Sequence, residues 1–208
     1  MIEHNLEALR PTLPGVGFGV ATAADFQELP LYPEEAQYAQ NMWPRRRCDF
    51  WMGRSASRRA LADLGMAAGP VRADKRWPTF PPGTVGSVSH SGEIAVSIVG
   101  STARVRSLGI DLELRPLPAS AAALVLGAGE IHWLGEGMCT CAEAFSAKEA
   151  AFKALDPLLD GGAPPLRQIQ LVPTIGGFEV RLSAHPQVHW FVSIHHLAGA
   201  ILAWMAIY

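Results

Sequence analysis

The chain has 208 residues, enough for one larger domain or two small halves around a sizeable core. With 49% hydrophobic residues, 17% charged residues and a formal net charge of −2, its balance argues against general nucleic-acid binding as the main task. The three cysteines, Cys48, Cys139 and Cys141, lack framework spacing, which suits a reducing compartment, and Cys139-Thr140-Cys141 has no second pair to complete a zinc site.

The opening MIEHNLEALRP has no basic segment followed by an apolar core, so no secretory leader is expected. Residues 15–22, GVGFGVAT, read as a strand of small residues. Residues 32–65, YPEEAQ to ADLG, read as helix; Pro44 can open its second part at a first-turn position, and Gly65 is a good stop. Phe50, Ser57, Leu61 and Leu64 recur there at helical spacing. TVGSVSHS and EIAVSIVG predict two strands joined by a turn at Ser91-Gly92, and RVRSLGIDLEL predicts the next strand. AEAFSAKEAAFKAL is strongly helical and stops at Asp156-Pro157. The tail reads as β: 168–173 and 178–182 about a hairpin at Gly176-Gly177, then 190–196 and 200–207. The last apolar run, 197–208, falls short of the roughly 20 residues a membrane span needs, so a cytoplasmic protein with no membrane span is expected.

Strands and helices alternate twice over, with no internal repeat evident by eye. This predicts an α+β fold, helices packed on mainly antiparallel sheets, with an N-terminal half over 1–103, a C-terminal half over 104–208 and the break within 100–106.

Four stretches carry candidate chemistry. In SLGIDLELRP (107–116), alternation puts Leu108, Ile110, Leu112 and Leu114 on one face and Asp111 and Glu113 on the other. Like-facing side chains two residues apart are separated by about 6.5–7 Å, so both carboxylates can converge on one cation of the magnesium class. A solvated strand face gives the same pattern. In FSAKEAAFKAL, Phe145 and Phe152 mark the expected buried stripe. Glu149 lies about 40° from that stripe at ~100° per residue, with Lys148 and Lys153 on its two sides. That suits a site holding a metal and phosphate together; an ordinary Glu149–Lys153 pair has the same spacing.

In RRRCDFWMGR, Arg46, Phe50 and Arg54 stand at i, i+4 and i+8. The two arginines share a helix face about 12 Å apart and suit bidentate phosphate recognition. Arg58 and Arg59 follow, so a solvated basic face is the competing reading. In GSVSHS (86–91), Ser89 and His90 come at a strand end, where side chains and backbone N–H groups can meet a phosphate. They point to opposite faces while the strand lasts, which speaks against a serine–histidine nucleophile pair, and a structural histidine is the alternative. Together Arg46, Arg54, Lys75, Lys153, His90 and the three acids form an inventory for a substrate with several phosphates.

GSVSHS, GIDLE and FSAKEAAFKAL, in this order and at these separations, resemble the motifs of the 4′-phosphopantetheinyl transferases. RRRCDFWMGRSASRRAL resembles the arginine motif of the branch that includes enterobactin synthase component D and the surfactin-type enzymes; the likeness covers residues 46–155. The resemblance implies two similar α+β halves related by a pseudo-two-fold, with coenzyme A in the cleft between them. It implies transfer of the phosphopantetheine arm of coenzyme A to a serine of an apo acyl, aryl or peptidyl carrier protein, releasing adenosine 3′,5′-bisphosphate. Carriers of nonribosomal peptide, siderophore (enterobactin-type), polyketide or fatty-acid synthesis are the implied partners, and a monomer is expected.

Carried over by motif position, Asp111, Glu113 and Glu149 would ligate Mg2+, with Mn2+ as an alternative, and coenzyme A would be co-substrate. Glu149 would deprotonate the carrier serine, directly or through a water. Lys153 and His90 would hold the pyrophosphate. Arg46, Arg54 and Lys75 would grip the 3′-phosphate and neighbouring groups, Ser89 would make a nearby phosphate or adenine-side contact, and Lys148 matches the family's motif lysine as a further coenzyme A contact. Two positions depart from the pattern: Phe145 stands where Trp is common, and Leu112 leaves two acids rather than three in the strand. The competing readings are another Mg2+-dependent phosphate-ester or nucleotide hydrolase, and a basic module binding nucleic acid through 45–59. The latter needs exposed aromatics among its cations, whereas Phe50 falls on the buried stripe. The carrier-binding surface is expected within 116–141.

Overall fold

Small residues decide how closely helix and sheet approach in this chain. The computed structural model describes residues 10, 13–27, 31–74, 77–127, 129–197 and 199–208. By its contacts the chain divides into two units, Met1–Leu108 with Tyr208, and Gly109–Ile207. Among the described residues no helix is long and apolar enough to cross a membrane.

The first unit runs β1 (Val16–Thr22), a 3-10 turn (Ala23–Gln27), α1 (Pro33–Ala39), α2 (Pro44–Asp63), β2 (Arg72–Asp74), β3 (Trp77–Thr79), β4 (Thr84–Ser91) and β5 (Ile94–Ser101). Strands β1, β5 and β4 form an antiparallel sheet in that order, with α2 across it, and β2 pairs with β3. The helical stretch expected over 32–65, with Pro44 opening its second part, is two separate helices. Pro44 disfavours helical backbone at the residue before it, and Trp43 is extended at φ −57° and ψ 147°. Along α2 every residue from Phe50 to Arg58 is buried, polar ones included. Of the buried hydroxyls, that of Ser57 meets the sheet across the helix–sheet contact. Ser57 donates to the Gly53 carbonyl at 2.8 Å, Ser97 donates to the Ser87 carbonyl at 3.0 Å, and the two hydroxyl oxygens lie 3.2 Å apart.

In the second unit β6 (Ser107–Glu113) is followed by α3 (Ala122–Val125), α4 (Ile131–Gly135), α5 (Cys141–Leu155), β7 (Gln170–Thr174), β8 (Gly177–Arg181), β9 (Trp190–Leu197) and β10 (Ala200–Ile207). The sheet order is β6-β10-β9-β8-β7, with β7 to β10 paired antiparallel in succession. A capping box starts α5: Thr140 Oγ1 accepts the Glu143 N–H at 3.2 Å, and Glu143 accepts the Thr140 N–H at 2.5 Å. The buried face of α5 differs from the expected Phe145–Phe152 stripe. Ala144, Ala147, Ala150, Ala151 and Ala154 are buried, while both phenylalanines are only partly so. Alanines allow the sheet backbone to approach, and larger side chains are displaced to the flanks of the contact.

The two units share one register. A Cβ added to Gly17 in β1 would collide with the Ala60 carbonyl and the Leu64 nitrogen of α2 and its C-cap. A Cβ added to Gly109 in β6 would collide with the Ala150 carbonyl and the Ala154 nitrogen of α5. One residue along each strand, a helix side chain grips the backbone. Asp63 accepts the Phe18 N–H at 2.9 Å, and Lys153 donates to the Ile110 carbonyl at 2.9 Å. The boundary between the units also differs from the expected 103/104. Gly100 sits against Val105 and Leu108, whereas Gly109 sits against α5, so the division falls inside β6 after Leu108.

Candidate functional site

Two groups of the sequence-derived residues come together, one in each unit. In the first, helical spacing aligns Arg46, Phe50 and Arg54 on one face of α2. The Arg54 guanidinium lies 4.1 Å from the Phe50 ring centroid, a cation–π contact, and donates to the Arg72 carbonyl at 3.4 Å. Arg54 is 7% exposed, and its Nε has no hydrogen-bond partner. Burial, against the favourable field of Glu35, pushes this guanidinium down to about 10. Arg46 Nη1 lies 3.5 Å from His90 Nε2. Arg46, Arg54 and His90 line a cavity of about 220 Å³ together with Tyr38, Phe50 and Trp77. Cations with an unmet donor, walled by aromatic rings, fit an anionic group carrying a flat apolar portion.

In the second unit Asp111 is buried on β6 and faces α5. Its Oδ1 lies 2.8 Å from Lys153 Nζ, and its Oδ2 accepts from the Ser146 hydroxyl at 2.9 Å. Ser146, Glu149 and Lys153 stand at i, i+3 and i+7, so Glu149 shares the helix face that holds Asp111. Glu113, half-buried, accepts the Arg115 N–H at 2.9 Å and borders a groove of about 500 Å³ with Leu117, Cys141, Ala142, His196 and Ile201. Among the described residues no three His, Cys, Asp or Glu side chains are grouped as a metal centre. Asp111 and Glu113 are the oxygen donors a hard divalent cation takes, and Asp111 here pairs its two oxygens with Lys153 and Ser146.

Other expected residues lie elsewhere. Lys148, expected to reach coenzyme A, is fully buried, with Nζ 2.5 Å from Glu130 Oε2 and 3.0 Å from the Val125 carbonyl. Its charge is paired inside the unit. Burial holds this ammonium below the usual lysine range, against the pull of Glu130. Ser89 is buried, and strand alternation turns it to the opposite face of β4 from Val88 and His90, which line the arginine cavity. Lys75 lies outside the described residues. Ser146, Glu130 and the cavity aromatics Tyr38 and Trp77 were not singled out from the sequence. Ser146 had a signal, its position one turn before Glu149; the partnership of Glu130 spans 18 residues and had none.

A profile of the 4'-phosphopantetheinyl transferase N-terminal domain matches residues 34–100, and one of the 4'-phosphopantetheinyl transferase superfamily matches residues 107–205. The chain is similar to 4'-phosphopantetheinyl transferase Svp of Streptomyces mobaraensis, 34% identical over 161 residues, covering 74% of this chain and 65% of that protein. It is 34% identical over 139 residues to 4'-phosphopantetheinyl transferase PptT of Mycobacterium tuberculosis, covering 61% and 58%. Enterobactin synthase component D of Escherichia coli strain K12 is 32% identical over 158 residues, covering 73% and 74%. The chain thus spans somewhat less than two thirds of Svp and PptT.

Proposed function

The chain belongs to the 4′-phosphopantetheinyl transferase superfamily, and on that premise we propose that it transfers the phosphopantetheine arm of coenzyme A to a serine of an apo carrier protein. Arg54 is the observation that carries the reading: a buried guanidinium with an unmet donor, depressed by burial, which a phosphate oxygen would both pair and neutralise. Arg46 and His90, on the same cavity, take neighbouring phosphate oxygens, and Tyr38, Phe50 and Trp77 supply apolar walls.

Asp111 and Glu113, with Glu149, are the residues that would hold Mg2+, which when bound supplies positive charge against the pyrophosphate oxygens. Glu149, or a water it polarises, takes the proton of the carrier serine. The serine oxygen then bonds to the phosphorus carrying the pantetheine arm. The bond from that phosphorus to the bridging oxygen breaks, and adenosine 3′,5′-bisphosphate leaves with the electron pair. Lys153 offsets the developing charge and keeps Asp111 oriented. The relative named enterobactin synthase component D supports a carrier of enterobactin-type siderophore assembly as partner. Exposed Leu124 and Met138, within 116–141, support that segment as the carrier-facing surface.

Incubation with coenzyme A, Mg2+ and an apo-carrier protein tests the reading. The carrier should gain the mass of the phosphopantetheine arm, and Asp111→Ala should abolish the gain. Cleavage of coenzyme A without a carrier would instead indicate a hydrolase, and full activity in Asp111→Ala would remove Asp111 from the site.

A further inference from the structure

The transfer reading leaves Lys148 and Glu130 without a role, yet they form a buried ion pair bonded on all sides. Lys148 Nζ bonds Glu130 Oε2 at 2.5 Å and the Val125 carbonyl at 3.0 Å. Glu130 Oε2 also accepts the Gly127 N–H at 2.6 Å, and its Oε1 accepts the Leu171 N–H at 2.7 Å. One ion pair therefore ties α5, the end of α3, the turn before α4 and the start of β7 to a single point, the carboxylate taking the two N–H groups and the ammonium the Val125 carbonyl. The first unit carries the same device. Glu35 Oε2 accepts the Tyr32 N–H at 3.0 Å, Oε1 accepts the Val71 N–H at 2.8 Å, and Arg58 Nη1 lies 2.9 Å from Oε2. In both units the carboxylate takes the N–H three residues before it. Arg58 stands two residues before Ala60, and Lys148 two before Ala150, the residues that meet Gly17 and Gly109.

The alanine face of α5 explains why such an anchor is needed. Alanines permit close approach but supply few interlocking side chains, so they resist rotation of the helix about its axis weakly. Lys148 precedes Glu149 directly, and Ser146, Glu149 and Lys153 must face Asp111 together. A fixed point at Lys148 fixes the direction of that face.

We propose that Glu130 and Lys148 are positioning residues for transfer, an ionic anchor that sets the rotation of α5 and with it Glu149 and Lys153. The proposal rests on the transfer reading. Its test measures carrier modification, coenzyme A affinity and amide exchange in Lys148→Met, Glu130→Gln and Lys148→Arg. The first two should lower kcat by about tenfold or more, since small misplacements of reacting groups are costly. KM for coenzyme A should stay within about twofold, because the cation cavity is built from other residues. Lys148→Arg should keep most of kcat, because the first unit holds an arginine against its own buried glutamate. Exchange of the Gly127 and Leu171 amides should quicken in Lys148→Met. Should that variant not fold, Glu130→Gln, which preserves volume and one acceptor, decides. Unchanged amide exchange overturns the anchor; quicker exchange with unchanged kcat, or equal losses of kcat and coenzyme A affinity, overturns its role in transfer. If the wild-type protein modifies no carrier, the transfer reading fails while amide exchange still decides the anchor.

Discussion

Lys153 clamps Asp111 from two sides: its Nζ lies 2.8 Å from Oδ1 and 2.9 Å from the Ile110 carbonyl, so one ammonium fixes both the acid and the strand that carries it. A pair held this way is coupled energetically. In a double-mutant cycle with Asp111→Asn and Lys153→Met, chemical denaturation should give a coupling of about 1–3 kcal/mol. Additive losses would mean that Lys153 stabilises the helix independently of Asp111.

Arg54→Ala should weaken coenzyme A binding by about 10-fold to 100-fold in calorimetry, from the loss of a charge-assisted contact in a buried setting. Arg54→Lys should recover little, because an ammonium lacks the planar fork and the stacking on Phe50. Unchanged affinity in Arg54→Ala would place the phosphate elsewhere.

Gly109→Ala and Gly17→Ala should each destabilise their unit by about 1–3 kcal/mol, since the added methyl meets helix backbone rather than a movable side chain. Denaturation midpoints check this. The matched register further predicts losses of similar size at both positions.

His195 stacks on Trp204 with ring centroids 4.0 Å apart, and burial, then the neighbouring His196, holds it below the usual 6.5. The folded protein therefore favours neutral His195. As pH falls through 6.5 the unfolded chain takes up the proton first, so stability rises with pH in this window and is lost on acidification. His195→Phe keeps the stack and should flatten that slope between about pH 5 and 7. An unchanged slope would assign the acid sensitivity to another group.

The internal repeat shows why part of this fold was hidden in the sequence. Asp63 and Lys153 do the same job, gripping the strand backbone one residue past Gly17 and Gly109, but one accepts an N–H and the other donates to a carbonyl. Arg58 and Lys148 likewise share a position and not a residue type. Equivalence of geometry without equivalence of letters leaves no repeat to read. The strand alternation that separates Ser89 from His90, the break at Pro44 and the spacing of Arg46, Phe50 and Arg54 were legible, because each depends only on near neighbours.

That distinction separates what the amino-acid sequence determined from what the tertiary structure decided. The order of strands and helices, the shared face of Asp111 and Glu113, and the helical spacing of Glu149 and Lys153 follow from local periodicity, which the chain carries wherever it folds. The fate of each charge does not. Lys148 and Lys153 stand five residues apart on one helix, yet one is sealed against Glu130 and the other rests on Asp111. Their partners arrive from 18 and 42 residues away, and only packing brings those carboxylates within bonding distance.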